Sequence, residues 1–135
     1  MPRKTDANRP ADWTAIAEAD LAMVRVTAER EVSFAPCRSK LAEALEKVLK
    51  AELIRSGWTL QTTHDLQRLA KFLRDHGSDL VQPAEPLVNA LTEAYFTDRY
   101  PGFDLDDPDW PLLHQQIEAV GKLLDTVQAR LAPSG

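Results

Sequence analysis

Few side chains in this chain are of types that do chemistry by themselves. Its three histidines, at positions 64, 76 and 114, are too far apart for a local metal motif, and the single cysteine, Cys37, has no second thiol to pair with. The sequence contains no HExxH, paired CxxC, Gly-rich phosphate loop or nucleophile elbow. We therefore predict no metal site, no cofactor and no catalytic residue, and interpret Cys37 as a small, half-buried side chain.

Asp20 is the carboxylate with the least usual surroundings. Helical spacing places it beside Ile16, Met23 and Val24 rather than among solvated charges. A carboxylate at the margin of a core needs a partner, because an unpaired buried charge is costly. One interpretation is a structural salt bridge to a cation of the next helix, such as Lys47. The other is contact with a ligand or a partner protein.

His64 and Asp65 are adjacent and also allow two interpretations. A carboxylate beside an imidazole can polarise it into a general base near neutral pH. Alternatively, the pair serves capping and packing, because Thr62 and Thr63 precede it. A threonine cap followed by an acidic residue in the first turn is a helix-start signal.

The segment from Tyr95 to Pro101 concentrates three aromatic side chains around Arg99 at the end of a predicted helix. A guanidinium is planar and carries five donors, so with Tyr95 and Tyr100 beside it Arg99 is suited to grip a phosphate and stack on a base. In the other interpretation, Arg99 meets the negative end of the helix dipole and the tyrosines pack. Spacing alone favours neither.

The elements that must position these residues belong to a chain of 135 residues, the size of one domain. Its 21 acidic and 16 basic residues give a net charge of −5, so a nucleic acid would need a local basic patch to bind. No apolar run approaches the roughly 20 residues that span a bilayer, and the first residues lead into no apolar signal core. We expect a cytoplasmic protein.

We expect a flexible lead-in over residues 1–11, a helical domain over 12–131 and a tail over 132–135. The first helix is predicted to start with Asp12 as its N-cap and to run to about Glu29. A second helix, with Pro36 in its first turn, is predicted to end at about Ser56 because Gly57 follows.

A third helix is predicted after Thr63 and ends at Gly77, and Pro83 and Pro86 mark the start of a fourth. Asp107 or Asp109 sets up the last helix, whose apolar residues step alternately by four and three. This seam is narrow enough to pack between two neighbours or across a dimer, and consists of Leu113, Ile117, Val120, Leu124, Val127 and Leu131. The predicted fold is all-α, an up-and-down bundle of four to five helices.

Four pieces of sequence in a fixed order carry a family resemblance. They are Asp12-Trp13 with Ala19-Asp20-Leu21, the string from Ala44 to Ala51, Thr63-His64-Asp65-Leu66, and Arg99-Tyr100-Pro101. In this order the chain resembles the HEPN family of helical proteins from about residue 12 to residue 131. The resemblance implies a four-to-five-helix bundle, commonly a homodimer, often encoded beside a minimal nucleotidyltransferase as a toxin–antitoxin-like or regulatory pair.

The resemblance also marks two departures. Family members that are ribonucleases carry an arginine, four to six residues and then a histidine, so that the two side chains can stabilise phosphorane charge and move a proton. After Arg99 those positions hold Asp104, Leu105 and Asp106. Where many members have an aromatic residue followed by histidine, this chain has Ser39-Lys40.

Three functions stay open on this basis. The first is a non-catalytic HEPN protein that dimerises and binds a nucleotidyltransferase partner, a nucleotide or RNA. The second is a divergent ribonuclease toxin that uses Arg99 with an unconventional base, and the third is a helical interaction protein without nucleotide binding. The candidate binding residues are Asp20, Lys47, His64, Asp65, Tyr95, Arg99 and Tyr100.

Overall fold

The computed structural model describes residues 4–94, 101–102 and 107–132, and within these ranges the chain forms helices and turns without a strand. Its helices are α1 (Pro10–Glu29), α2 (Phe34–Arg55), α3 (Leu66–Asp75), α4 (Val81–Leu91) and α5 (Trp110–Leu131). The predicted all-α bundle is confirmed.

The centre of the bundle is α2, which contacts each of the other four helices. Five of its large apolar side chains have no exposure to solvent: Leu41, Leu45, Val48, Leu49 and Leu53. A helix that is apolar on most of its circumference is buried by neighbours on several sides. Apart from exposed Arg55, the charged side chains of α2 are therefore buried or half-buried.

The start of α1 differs from the prediction. The helix begins at Pro10, whose fixed φ and missing N–H suit the first helical position. Asp12 is a buried residue of the first turn, and its carboxylate accepts a hydrogen bond from the backbone N–H of Asp6 at 2.8 Å. The Trp13 indole N–H donates to the carbonyl of Ala7, also at 2.8 Å. The prediction of Asp12 as the N-cap was wrong, because residues before it fold back onto the helix.

The predicted ends of the second and third helices are confirmed. Gly57 and Gly77 have φ values of +97° and +66°, a left-handed conformation that glycine adopts without steric cost. After α2 the backbone N–H of Trp58 donates to the carbonyl of Leu53 at 2.9 Å, which closes a Schellman motif. Pro36 lies in the first turn of α2, as predicted.

Proline placement in α4 is only half as predicted. Pro83 lies in the first turn, but Pro86 lies inside the helix, so one backbone hydrogen bond of the helix cannot form there. The helix nonetheless buries Leu87 and Leu91 against the core, and this apolar burial holds its middle in place. Tyr95, predicted near the end of this helix, lies outside the described residues.

The last helix follows its prediction closely. Asp109 is the N-cap of α5, and its side chain accepts from the backbone N–H of Leu112 at 3.0 Å. The apolar seam packs inside the chain, against α1, α2 and α4. Five of its six members are buried, and Leu131 at the helix end is partly exposed.

None of the helices in the described part of the chain combines the length and the apolarity needed to cross a bilayer.

Candidate functional site

Four of the seven predicted binding residues can be placed in the structure. Asp20 lies on α1, Lys47 on α2, and His64 with Asp65 immediately before α3. Tyr95, Arg99 and Tyr100 lie outside the described residues, so their place in the site stays a prediction. The four described residues therefore belong to α1, α2 and the segment just before α3.

Asp20 and Lys47 form the ion pair that the sequence predicted. The Lys47 Nζ lies 2.5 Å from the Asp20 Oδ2, and the two side chains are 21% and 15% exposed. The pair therefore joins α1 to α2 at the edge of the core, which confirms the structural interpretation. A further role in contact with a ligand or partner is still a prediction.

His64 meets a carboxylate from another helix. Its Nδ1 lies 3.2 Å from both carboxylate oxygens of Glu46, on α2. An ionised carboxylate can only accept, so Nδ1 carries the proton in this contact. The sequence had suggested the neighbouring Asp65 as the polarising group, and the structure supplies Glu46 instead.

Asp65 is the N-cap of α3. Its side chain accepts from the backbone N–H groups of Gln67 at 3.0 Å and Arg68 at 3.3 Å. The capping interpretation is thus confirmed, but the cap is the aspartate itself and not a preceding threonine. Thr63 supports it, because its hydroxyl oxygen accepts from the backbone N–H of Asp65 at 3.2 Å.

Behind His64, Glu46 also binds Lys50 one turn later on α2. The Lys50 Nζ lies 3.0 Å from Glu46 Oε2, and its side chain is only 4% exposed. The same ammonium lies 5.1 Å from the centroid of the Trp13 ring, a cation–π distance. A continuous line of contacts thus runs from His64, through Glu46 and Lys50 on α2, to Trp13 in the first turn of α1.

Sequence reasoning missed Glu46 and Lys50 as members of the site. The sequence did contain an indication. Apolar residues occupy almost every side of the second helix, which predicts that this helix lies at the centre of the bundle. Charged residues on a central helix lie between neighbours and need partners there. Which neighbours supply the partners is a property of the packing and not of the helix itself.

A cleft of about 290 Å³ opens beside His64. Its apolar surface comes from Ala42 and Leu66, and Thr92 lines it from the residue after α4. The remaining described lining residues are the carboxylates Glu43, Glu46 and Asp65, with His64. None of the described lining residues is a lysine or an arginine, but Glu43 and Glu46 are paired with Lys40 and Lys50 beside the cleft.

The three lysines of α2 all have carboxylate partners. Lys40 lies 2.7 Å from Glu43, while Lys47 and Lys50 bind Asp20 and Glu46 as described above. A lysine that already neutralises a carboxylate contributes little attraction to a phosphate. This side of the molecule therefore lacks the local basic patch that RNA binding would require of the described residues.

Apolar side chains of α1 are exposed next to the Asp20–Lys47 pair. Ile16 and Met23 are 43% and 51% exposed, and they lie four residues before and three residues after Asp20 on the helix. Exposed apolar groups around an ion pair are typical of surfaces that contact other proteins. This part of α1 therefore offers apolar contact beside the ion pair.

Neither a metal site nor a reactive thiol emerges from the described residues. Within them, no three His, Cys, Asp or Glu side chains are grouped as metal ligands. Cys37 is buried in the core, where its thiol donates to the carbonyl of Val24 at 3.5 Å. Burial raises the pKa of the Cys37 thiol, which makes it a poor nucleophile near neutral pH.

Comparison with known proteins gives one match. A family model described as HEPN domain matches residues 10–129, which is most of the chain. No curated protein and no solved structure matches it.

Proposed function

The chain belongs to the HEPN family, and from that membership we propose that it is a non-catalytic, dimerising module that binds a nucleotidyltransferase partner in the cytoplasm. The observation that carries the proposal is the charge on the described site. The three lysines of α2 are each neutralised by a carboxylate, and exposed Ile16 and Met23 flank the Asp20–Lys47 pair on α1. Such a face suits another protein better than a polyphosphate.

The broken ribonuclease motif supports the same proposal. The residues after Arg99 offer two aspartates and a leucine where an imidazole would be needed to move a proton. Nucleotide or RNA binding through Arg99 and Tyr100 is the second branch of this proposal. This branch rests on side-chain chemistry, because a guanidinium can bind a phosphate and an aromatic ring can stack on a base.

The experiment is a search of the neighbouring genes for a minimal nucleotidyltransferase, followed by co-purification of the full chain with that protein and light scattering to measure the mass of each species. We expect a dimer of the chain by itself and a larger stoichiometric complex with the partner. A monomer that forms no complex would contradict the proposal and leave a plain helical interaction protein.

One observation favours a ribonuclease as a second candidate. His64 is held by Glu46 at the mouth of a cleft, and an imidazole oriented by a carboxylate is a common general base. This candidate predicts RNA cleavage that is lost in both Arg99→Ala and His64→Ala while the oligomer stays intact. A contaminating nuclease would survive both substitutions, and absence of cleavage by the intact dimer would reject the candidate.

A further inference from the structure

The outward face of α1 carries a second apolar stripe. The helix packs on α2 and α5 through its buried side, which includes Leu21. Four apolar residues on another side are exposed to solvent: Ile16, Ala19, Met23 and Val26. Their alternating steps of three and four positions place them in one line along the helix. Two faces of α1 are thus apolar, and the described part of the chain covers one of them.

The two ends of this stripe differ in charge. Asp12 lies four residues before Ile16 and Arg30 lies four residues after Val26, so both continue the line. Asp6 lies beside Asp12, because its backbone N–H donates to the Asp12 carboxylate at 2.8 Å. Arg30 and Asp6 are both exposed, and neither makes an ion pair with a described residue. Each end therefore offers a charged group for contact with another molecule.

A cavity of about 190 Å³ opens at the N-terminal end of the stripe. The described residues that line it combine two carboxylates with an indole ring and apolar groups: Thr5, Asp6, Ala7, Asp12, Trp13 and Ile16. Arginine suits such a cavity, because its stem packs on apolar groups while its guanidinium meets a carboxylate. Asp12 is already hydrogen-bonded within the chain, so Asp6 is the carboxylate that the guanidinium would meet.

The cations in this part of the chain leave the charge of Asp6 in place. Lys4 and Arg9 are exposed, and neither lines the cavity. Lys50 contacts the ring of Trp13 but is paired with a carboxylate of α2 and is 4% exposed. The Asp6 side chain accepts only a backbone N–H among the described groups, from Asn8 at 2.8 Å.

The apolar stripe is complementary to itself in one orientation. We consider two α1 helices packed antiparallel, with a two-fold axis at the middle of the stripe between Ala19 and Met23. Ile16 of one copy then faces Val26 of the other. Ala19 faces Met23, so a small side chain meets a large one on each side of the axis. Such alternation lets two helices approach closely and fill the space between them.

The charged ends match in the same orientation. Antiparallel packing about this axis places Arg30 of one copy opposite Asp12 of the other, next to the cavity that Asp6 lines. A parallel pair would place Arg30 beside Arg30 and Asp12 beside Asp12, and like charges that face each other are unfavourable. Charge and side-chain size therefore select the same arrangement.

We propose that two copies of the chain pack antiparallel through this outward face of α1, with Arg30 of each copy in the Asp6 cavity of the other. The inference rests on the proposed function, in which the chain dimerises, and it adds the surface, the helix orientation and the charged contacts. It assigns the exposed side chains of Ile16, Met23 and Val26 to the interface between the copies.

The first test is the mass of the full chain and of Val26→Glu, measured by light scattering over a range of concentrations. Val26→Glu should raise the dissociation constant of the dimer at least about a hundredfold, because each dimer would bury two unpaired carboxylates. Leu112→Glu changes an exposed apolar residue of α5 that lines a cavity with residues of α2 and α4, and should dimerise as the wild type does. A monomeric wild type, or equal dissociation constants for wild type and Val26→Glu, would overturn the inference.

A charge exchange tests the antiparallel orientation and keeps the inference testable if Val26→Glu folds poorly. Arg30→Glu and Asp6→Arg should each weaken the dimer about tenfold or more, because each substitution opposes like charges at both ends of the interface. The double variant should recover most of the lost affinity. Both positions are exposed, so circular dichroism should show the same helical content in all of these proteins. A double variant no tighter than the single variants would contradict the proposed orientation and overturn the inference.

The nucleotidyltransferase gives an independent result. If wild type and Val26→Glu dimerise equally and both bind it, the inference about α1 fails and the proposed function stands. If the dimer follows the charge exchange but no nucleotidyltransferase binds, the inference stands and the partner proposal fails. A monomeric chain that loses nucleotidyltransferase binding in Val26→Glu would overturn the inference in favour of α1 as the docking face for that partner.

Discussion

Arg130 donates from Nη1 to Oε2 of Glu52 over 2.6 Å, and that carboxylate has no exposure to solvent. Glu52 lies on α2 and also accepts from Arg55 Nε at 2.5 Å. The other terminal nitrogen of Arg130 binds both oxygens of Asp79, in the turn before α4, at 2.8 and 2.9 Å. The network joins α2, α5 and the α3–α4 turn, and the buried carboxylate depends on it because burial without partners would be costly.

Arg130→Met should therefore destabilise the fold. We expect a loss of about 2–3 kcal/mol in the free energy of unfolding, because Glu52 keeps only Arg55 as a partner. Urea denaturation of wild type and Arg130→Met measures this loss. Exposed Asp79 provides the control, since Asp79→Asn should have a smaller effect at neutral pH. If Arg130→Met were neutral, the ion pair would have no role in holding α5.

The pair of Asp79 and Arg130 should make stability depend on acid. A hydrogen bond from Arg130, with the charge of its guanidinium, lowers the pKa of Asp79 below its ordinary value of 3.8. A lowered pKa in the folded state gives stability that is fully present above about pH 4 and is lost as pH falls through the folded value. The stabilities of wild type and Asp79→Asn should thus converge below that window, and a difference that persists at lower pH would contradict this cause.

Asp65→Ala should remove the cap of α3. The expected cost is about 1 kcal/mol of unfolding free energy, the usual value for a helix N-cap. Asp65→Asn keeps an acceptor for the two backbone N–H groups and should lose less. The midpoint of urea denaturation distinguishes the three proteins, and equal losses in both variants would mean that charge rather than capping matters.

The contact between Asp20 and Lys47 can be separated from any role in binding. A double-mutant cycle with Asp20→Asn and Lys47→Met should give a coupling of about 1 kcal/mol, the upper end for exposed pairs, because both side chains are mostly buried. Partner binding can then be measured on the same variants. The pair has a role in binding only if the free energy of binding changes by more than the free energy of unfolding. A coupling near zero would contradict the structural role.

Cys37 should react slowly with a thiol reagent in the native state. Its thiol is buried between α1 and α2 and its pKa is raised by burial, so both access and thiolate content are low. Labelling by a chromogenic disulfide reagent should be slow in buffer and complete in denaturant. Fast labelling of the folded protein would show that the α1–α2 seam opens readily.

Much of the helical framework could be predicted because its signals are local. Gly57, Gly77 and Asp109 mark helix ends through the conformation or hydrogen bonding of a few neighbouring residues, and the seam of α5 repeats with the period of a helix. The start of α1 was misplaced because Asp6 and Ala7 fold back onto it, a contact that periodicity does not encode.

The site was harder to predict because its contacts cross between helices. The ion pair of Asp20 with Lys47 was one of the two interpretations of Asp20, since an isolated carboxylate at a core margin requires a partner. The contact of His64 with Glu46 was not, because eighteen residues separate them and only the packing of α3 onto α2 brings them together.

The central position of α2 also bears on how the helices open and unfold. Because α2 packs against all four other helices, opening of any one of them leaves three of its interfaces intact. Amides of such a central element exchange only through large-scale unfolding, whereas amides of outer elements exchange through smaller local openings. Among the described helices, loss of α2 is therefore the step most nearly equal to loss of the whole bundle.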